Sequence, residues 1–287
     1  MARPHTLFVQ AQSLPWQSGN EPDPRWDVRA KILSKDEETG AYTAIIKIPA
    51  GFELPGPVHF RCDFEFYVLD GAFEVNGVEY RKDCYGFFPA GYRRDSNTSA
   101  GGAVVLAMFH GFHAPIMGEA PAGLYREDKL ITCVDVYNLE WKTGDEGSVT
   151  GKPLSPTIFT KKLRFDPDTQ EQTFLYAALP HHPPPAVMKG KFGHPMIEEI
   201  FVLSGEYVFG DAGRMGPGGY CWWAENEMHG PAGSETGYNL FIRIYGGPLV
   251  NKFSSDPAPF SFKPPHAPAL PDRLKNYAAP FPWTDPW

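Results

Sequence analysis

Residues 199–209, EIFVLSGEYVF, answer residues 65–75, EFYVLDGAFEV, and this self-similarity decides the fold. Both stretches are rich in β-branched and aromatic residues and reach a glycine, Gly71 or Gly205, as strands do before a turn. Working outward, the likeness continues in one order. FVQAQSLPWQSGNE (8–21) matches CVDVYNLEWKTGDE (133–146), with Val9 on Val134, Leu14 on Leu139, Trp16 on Trp141 and Gly19 on Gly144. KILSKDEETGAYTAIIKIPAG (31–51) matches KKLRFDPDTQEQTFLYAALPH (161–181), placing Asp36, Thr39 and Thr43 on Asp166, Thr169 and Thr173. YGFFPAGYRR (85–94) matches YCWWAENEMH (220–229). A period of about 125–135 residues is too long for a solenoid repeat, so each copy is a whole domain. The boundary is expected near residues 118–128, giving domains 1–125 and 126–287.

The rest of the chain agrees with an all-β fold. YTAIIKIPA, AVVLAMF, TFLYAALP and YNLFIRIYG read as short strands, 29 glycines and 30 prolines supply turns, and no long helical periodicity appears. The 287 residues can bury two cores. A formal charge of −8 without a basic stripe argues against nucleic acid or an acidic membrane surface as partner. The first residues, MARPHTLFVQAQ, have no apolar core of signal-peptide length, and no run approaches a membrane span, so a cytoplasmic location is expected. Four cysteines without a C-x-x-C spacing (Cys62, Cys84, Cys133, Cys221) read as reduced, mostly buried thiols. The Pro- and aromatic-rich tail reads as an arm packed on its own domain or on a partner subunit.

These segments resemble the cupin superfamily, whose two motifs are G-x5-H-x-H-x3–4-E-x6-G and G-x5-P-x-G-x2-H. The second repeat supplies Phe192-x-His194-x3-Glu198-x6-Gly205 and Gly218-x5-Ala224-x-Asn226-x2-His229. The first supplies Gly51-x5-Pro57-x-His59-x4-Phe64-x6-Gly71 and Asp83-x5-Pro89-x-Gly91-x2-Arg94. PMIEEIFVLSG (195–205) looks especially like the two-barrel group related to ChrR-type anti-sigma cupins. The resemblance implies two tandem double-stranded β-helix (jelly-roll) barrels. It places metal ligands in the second barrel only, because Pro57, Phe64 and Arg94 replace ligand positions in the first. The first barrel is therefore expected to be side-chain-filled and structural, with His59 structural too.

Strand alternation puts Glu198, Ile200 and Val202 on one face and Glu199 on the other. A buried carboxylate among apolar neighbours is costly, and a divalent ion shared with His194 and His229 removes that cost. Two histidines and a carboxylate suit non-haem Fe(II), with open positions for O2 and substrate, and also accept Zn, Mn, Ni or Co. Phe192 leaves a vacancy that His182, or its neighbour His181, would fill. Glu199 is expected in a salt bridge or loop contact, and His110 and His113 in a turn or surface role rather than a second metal site. Tyr220, Trp222 and Trp223 either pack the core or line an aromatic substrate pocket, and Arg243 either forms a salt bridge or anchors a substrate.

The resemblance leaves three functions open. One is a mononuclear Fe(II) dioxygenase acting on a small carbonyl, enol or phenolic substrate. Another is a redox-neutral metal-dependent isomerase, hydrolase or decarboxylase, with Glu227 moving protons. The third is a non-enzymatic metal-binding sensor, which the lack of an attached sigma-binding helical domain disfavours. A homodimer is expected in each case.

Overall fold

The computed structural model describes residues 3–18, 28–180, 190–210 and 212–282. The fold is all-β and cupin-like, in two compact units that repeat one strand order. In the second, the sheet runs Thr6–Gln10, Gly219–Trp223, Ile197–Gly205, Tyr238–Tyr245, Gln172–Ala178, Ile158–Phe165, every neighbour antiparallel. In the first, the equivalent path is Ile131–Asp135, Cys84–Phe88, Phe64–Val75, Ala103–Phe109, Tyr42–Ile48, Arg29–Lys35. Here Phe64–Val75 extends further, so that its end also pairs with Arg94–Ser99.

The outermost strand of each path comes from the other repeat. Val9, near the N-terminus, pairs with Tyr220, whereas its repeat counterpart Val134 pairs with Tyr85. Pro4–Ser13 thus belongs to the second unit, and the first runs from Leu14 to Leu139. The expected cut at 125/126 differs on both counts. Repeat spacing places a boundary only if every strand stays with its own copy. The two docking edges carry matching repeat positions, Tyr85 and Tyr220, so the sequence pattern alone does not assign the strand that each receives.

Alternation organises both cores. Ile200 and Val202 join Phe174, Trp223, Leu240 and Ile242 in the second core. Phe66 and Val68 join Tyr80, Phe88 and Val105 in the first, with Phe64 packed against them. Removing these side chains from water is the main stabilising term, roughly 1.5–3 kcal/mol for each fully buried large one. On the opposite strand faces sit Glu65 and Glu199, each accepting a hydrogen bond from the phenol across the ladder: Tyr85 Oη at 2.7 Å and Tyr220 Oη at 2.6 Å.

The turn glycines are dictated by backbone crowding. Gly71 (φ +68°) and Gly205 (φ +76°) are left-handed, and a Cβ on either would lie 2.2 Å from the Gly102 carbonyl oxygen or 2.1 Å from that of Gly237. The tail packs on its own unit: Leu7 N donates to Ala269 O at 2.8 Å, Ala267 N to Ala212 O at 2.7 Å, and Leu274 is buried. Among the described residues, no helix is long and apolar enough to cross a membrane.

Candidate metal centre

Three side chains far apart in the chain converge inside the second unit. Glu198 sits at the start of Ile197–Gly205, directly opposite Trp223 in the ladder. His194 follows the short strand Phe192–Gly193, and His229 lies in the loop after Gly219–Trp223. That loop is held by backbone. Phe192 N donates to His229 O at 2.9 Å and His229 N to Phe192 O at 2.8 Å, while Asn226 N donates to His194 O at 2.6 Å. Asn226 adopts φ +62°, matching the left-handed Gly91 (φ +77°) of the first repeat. Asparagine is among the few non-glycine residues that tolerate this conformation, so the departure from the motif keeps the turn.

The three candidate ligand atoms lie within 4.8 Å of one another. Glu198 Oε2 is 3.4 Å from His194 Nε2 and 3.2 Å from His229 Nε2. Ligands each about 2.1 Å from a shared ion stand roughly 3.0–3.4 Å apart, so both carboxylate–imidazole spacings fit a metal's first sphere. Each of the three atoms is buried without a well-formed hydrogen bond. The outer nitrogens are engaged: His194 Nδ1 donates to Val250 O at 3.2 Å and His229 Nδ1 to Glu227 O at 3.1 Å. Such contacts place the proton on Nδ1 and leave the Nε2 lone pair facing inward, the tautomer a metal requires.

Electrostatics agree with the geometry. Burial pushes the Glu198 carboxyl up, but the two imidazoles beside it outweigh burial and hold it at about 2. For His194 burial acts downward, and Glu198 together with the Val250 carbonyl reverses it, leaving the imidazole raised. The site therefore gathers a permanent carboxylate and two nitrogen donors, whose charge a divalent cation complements.

Phe192, at the missing histidine position, sets its ring edge-on to His229 (centroids 4.5 Å) and near His194 (5.6 Å). Trp223 stacks on the other side of His229, with centroids 4.4 Å apart and planes 22° off parallel. The two rings fix the imidazole without contributing a ligand. His182 and His181 lie outside the described residues.

The centre opens into a cavity of about 400 Å³. Its walls are mostly apolar, through Phe174, Ile200, Leu240 and Ile242, and the Tyr176 and Tyr207 side chains also face it. Burial raises both phenols well above their usual range, Glu198 adding to the effect, so they remain protonated donors. Sequence reasoning passed over Tyr176 and Tyr207. In TFLYAALP, the period-2 relation of Tyr176 to the core residue Phe174 was the available signal.

The other sequence candidates resolve as follows. Glu199 is the ion-pair partner of Arg243, with Nη1 to Oε2 at 2.5 Å, and both are almost fully buried. Arg243 is thus a structural cation. Tyr220, Trp222 and Trp223 are core residues outside the cavity wall, Trp222 Nε1 donating to Tyr245 Oη at 2.6 Å. Glu227 is exposed and serves the site through its backbone carbonyl. His110 Nε2 stands 3.7 Å from Glu65 Oε2, and His113 packs on Tyr42. His59 Nδ1 faces the Gly118 carbonyl oxygen at 3.1 Å, and no metal-type cluster surrounds it among the described residues.

Comparison with known proteins supports the fold. Residues 4–114 match the family described as ChrR Cupin-like domain. Among solved structures, a "putative dioxygenase" from Nostoc punctiforme is 22% identical, with a TM-score of 0.72 over 84% of this chain and 86% of that one. Oxalate decarboxylase from Bacillus subtilis is 10% identical, with a TM-score of 0.54 over 87% and 80%. Vicilin from Corylus avellana is 10% identical, with a TM-score of 0.54 over 86% and 87%. A search of curated protein sequences found no match. The chain has the cupin fold, and the structural likenesses, unlike the family match, cover most of its length.

Proposed function

We propose that this cupin is a metal-dependent enzyme, a mononuclear non-haem Fe(II) dioxygenase acting on a small carbonyl, enol or phenolic substrate. The observation that carries the reading is the convergence of three buried, otherwise unsatisfied ligand atoms beside a 400 Å³ apolar cavity. His194, Glu198 and His229 would hold the ion, with His182 proposed as a fourth ligand. When bound, the metal supplies Lewis acidity and, as iron, redox chemistry towards O2.

The chain's own residues do the rest. Glu198 contributes the charge that retains the cation. The Val250 and Glu227 carbonyls orient the imidazoles. The apolar walls exclude water from a substrate. The Tyr176 and Tyr207 phenols, kept protonated, are donors for a substrate oxygen. The likeness to the Nostoc punctiforme protein described as a dioxygenase agrees with this reading.

Protein purified without oxygen and loaded with Fe(II) is expected to consume O2 in the presence of a 1,3-diketone or a hydroxylated aryl ketone. No O2 uptake across such a panel, with activity surviving exchange of iron for zinc, would move the assignment to redox-neutral isomerisation, hydrolysis or decarboxylation. Metal retention without turnover, and co-purification with a transcription factor, would favour a sensor. A cytoplasmic homodimer is part of the same proposal. Because the tail packs on its own unit, a chain ending at Val250 is expected to keep the dimer mass by light scattering.

A further inference from the structure

Arg94 occupies, in the first repeat, the place that His229 holds in the second. Its residue is 7% exposed, and it lines an apolar cavity of about 110 Å³ with Phe52, Leu54, Phe64, Phe88 and Phe109. The guanidinium carbon lies 3.9 Å from the Phe60 ring centroid. Nη2 is buried without a hydrogen-bond partner, and among the described residues no carboxylate pairs with Arg94. Burial pushes the group down to about 10, still a cation at neutral pH. The Cys62 thiol nearby, pushed up to about 11 by burial and by Asp63, supplies no negative charge there.

A buried, uncompensated cation is strongly unfavourable, and cavities around one persist where a ligand completes the charge. The second unit holds a carboxylate awaiting a cation, and the first holds a cation awaiting an anion. We infer that the first unit is a binding site for a small apolar monocarboxylate, its carboxylate on the Arg94 guanidinium and its hydrocarbon part among the phenylalanines. The guanidinium fork matches a carboxylate bidentately. An inorganic anion would leave the apolar walls unfilled. Size restricts the class: an apolar cavity of about 150 Å³ takes benzene, so about 110 Å³ takes a branched or short chain. The first barrel is then not only structural, because its core is incompletely filled around one charge.

The test is calorimetric titration of the full chain with 3-methylbutanoate, 3-methylbutanamide and inorganic phosphate. Saturable binding of the carboxylate is expected, at least tenfold tighter than the amide, with none for phosphate. Arg94→Lys should weaken the carboxylate tenfold or more, since a point charge replaces the fork, and Arg94→Met should abolish it. Glu198→Gln, in the other unit, should bind it unchanged. The wild-type comparison of acid with amide stands even if an Arg94 variant fails to fold. No saturable heat with the carboxylate at millimolar concentration, equal binding of the amide, or binding lost in Glu198→Gln but kept in Arg94→Met would each overturn the proposal. Phosphate binding as tight as the carboxylate would overturn the apolar class.

Discussion

Replacing Glu198 by Gln isolates the charge at the candidate metal centre while keeping its shape. In the metal-free protein the carboxyl is held at about 2, against an ordinary value of 4.5. That difference is worth about 3 kcal/mol, the stabilisation that two imidazoles confer on the ionised form of a buried group. Because the folded value is depressed, the contribution is present above the ordinary carboxylate value and lost as pH falls from 4.5 towards 2. The raised imidazole of His194 has the opposite sign. Its contribution is complete below 6.5 and is lost as pH rises through the folded value. Both are present together between about pH 4.5 and 6.5, and there the metal-free wild type should exceed Glu198→Gln most. At about 2–4 °C per kcal/mol, the second unit's midpoint should drop by about 6–12 °C near pH 6. Elemental analysis of the metal-loaded proteins should find one equivalent in the wild type and little in the variant, because the anionic ligand has gone. Calorimetry on the metal-free pair and mass spectrometry on the loaded pair read the two effects separately. A variant with an unchanged midpoint near pH 6 that also retains a full equivalent of metal would refute the reasoning.

Other perturbations test neighbouring parts of the argument. Glu199→Gln strips Arg243 of its buried counter-charge and should cost about 3–5 kcal/mol in chemical denaturation. It should leave metal stoichiometry near one, the reverse of the emphasis expected at Glu198. Protons compete with metal for His194, whose value is raised by Glu198, so ultrafiltration should show the apparent metal affinity falling on acidification from a higher pH than an unperturbed imidazole would give. Gly205→Ala meets both a left-handed φ and the Gly237 carbonyl; a loss of more than about 2 kcal/mol from the second unit is expected by calorimetry. Phe192→His restores the missing imidazole beside His229, and competition with a chelator should show metal held at least tenfold more tightly.

Much of this protein was legible because repeat matching and strand periodicity are local or nearly so. The alternation in EEIFVLSG assigns Glu198 and Glu199 to different faces, and the structure pairs Glu199 with Arg243 while turning Glu198 towards two imidazoles. Motif spacing brought His194, Glu198 and His229 into one hypothesis, although they belong to three separate segments. The aromatic residues were harder. Trp223 could equally have packed the core or lined a pocket, and only the chain's path put it behind His229 as a stacking surface rather than in the cavity wall. For Tyr176 and Tyr207 the converse holds: periodicity can turn Tyr176 inward, but an inward tyrosine reads as core until a void is found beside it.

The sequence by itself determined the all-β character, the duplication and the residue types able to hold a cation in one copy and not in the other, because these follow from composition, period and motif. Only the tertiary structure decided which strand each unit borrows, since both edges present the same pattern to Val9 and Val134. It alone also decided where the cores leave space. Packing is a property of volumes summed over many distant residues, so neither the cavity beside Glu198 nor the void around Arg94 is written in any one stretch of chain.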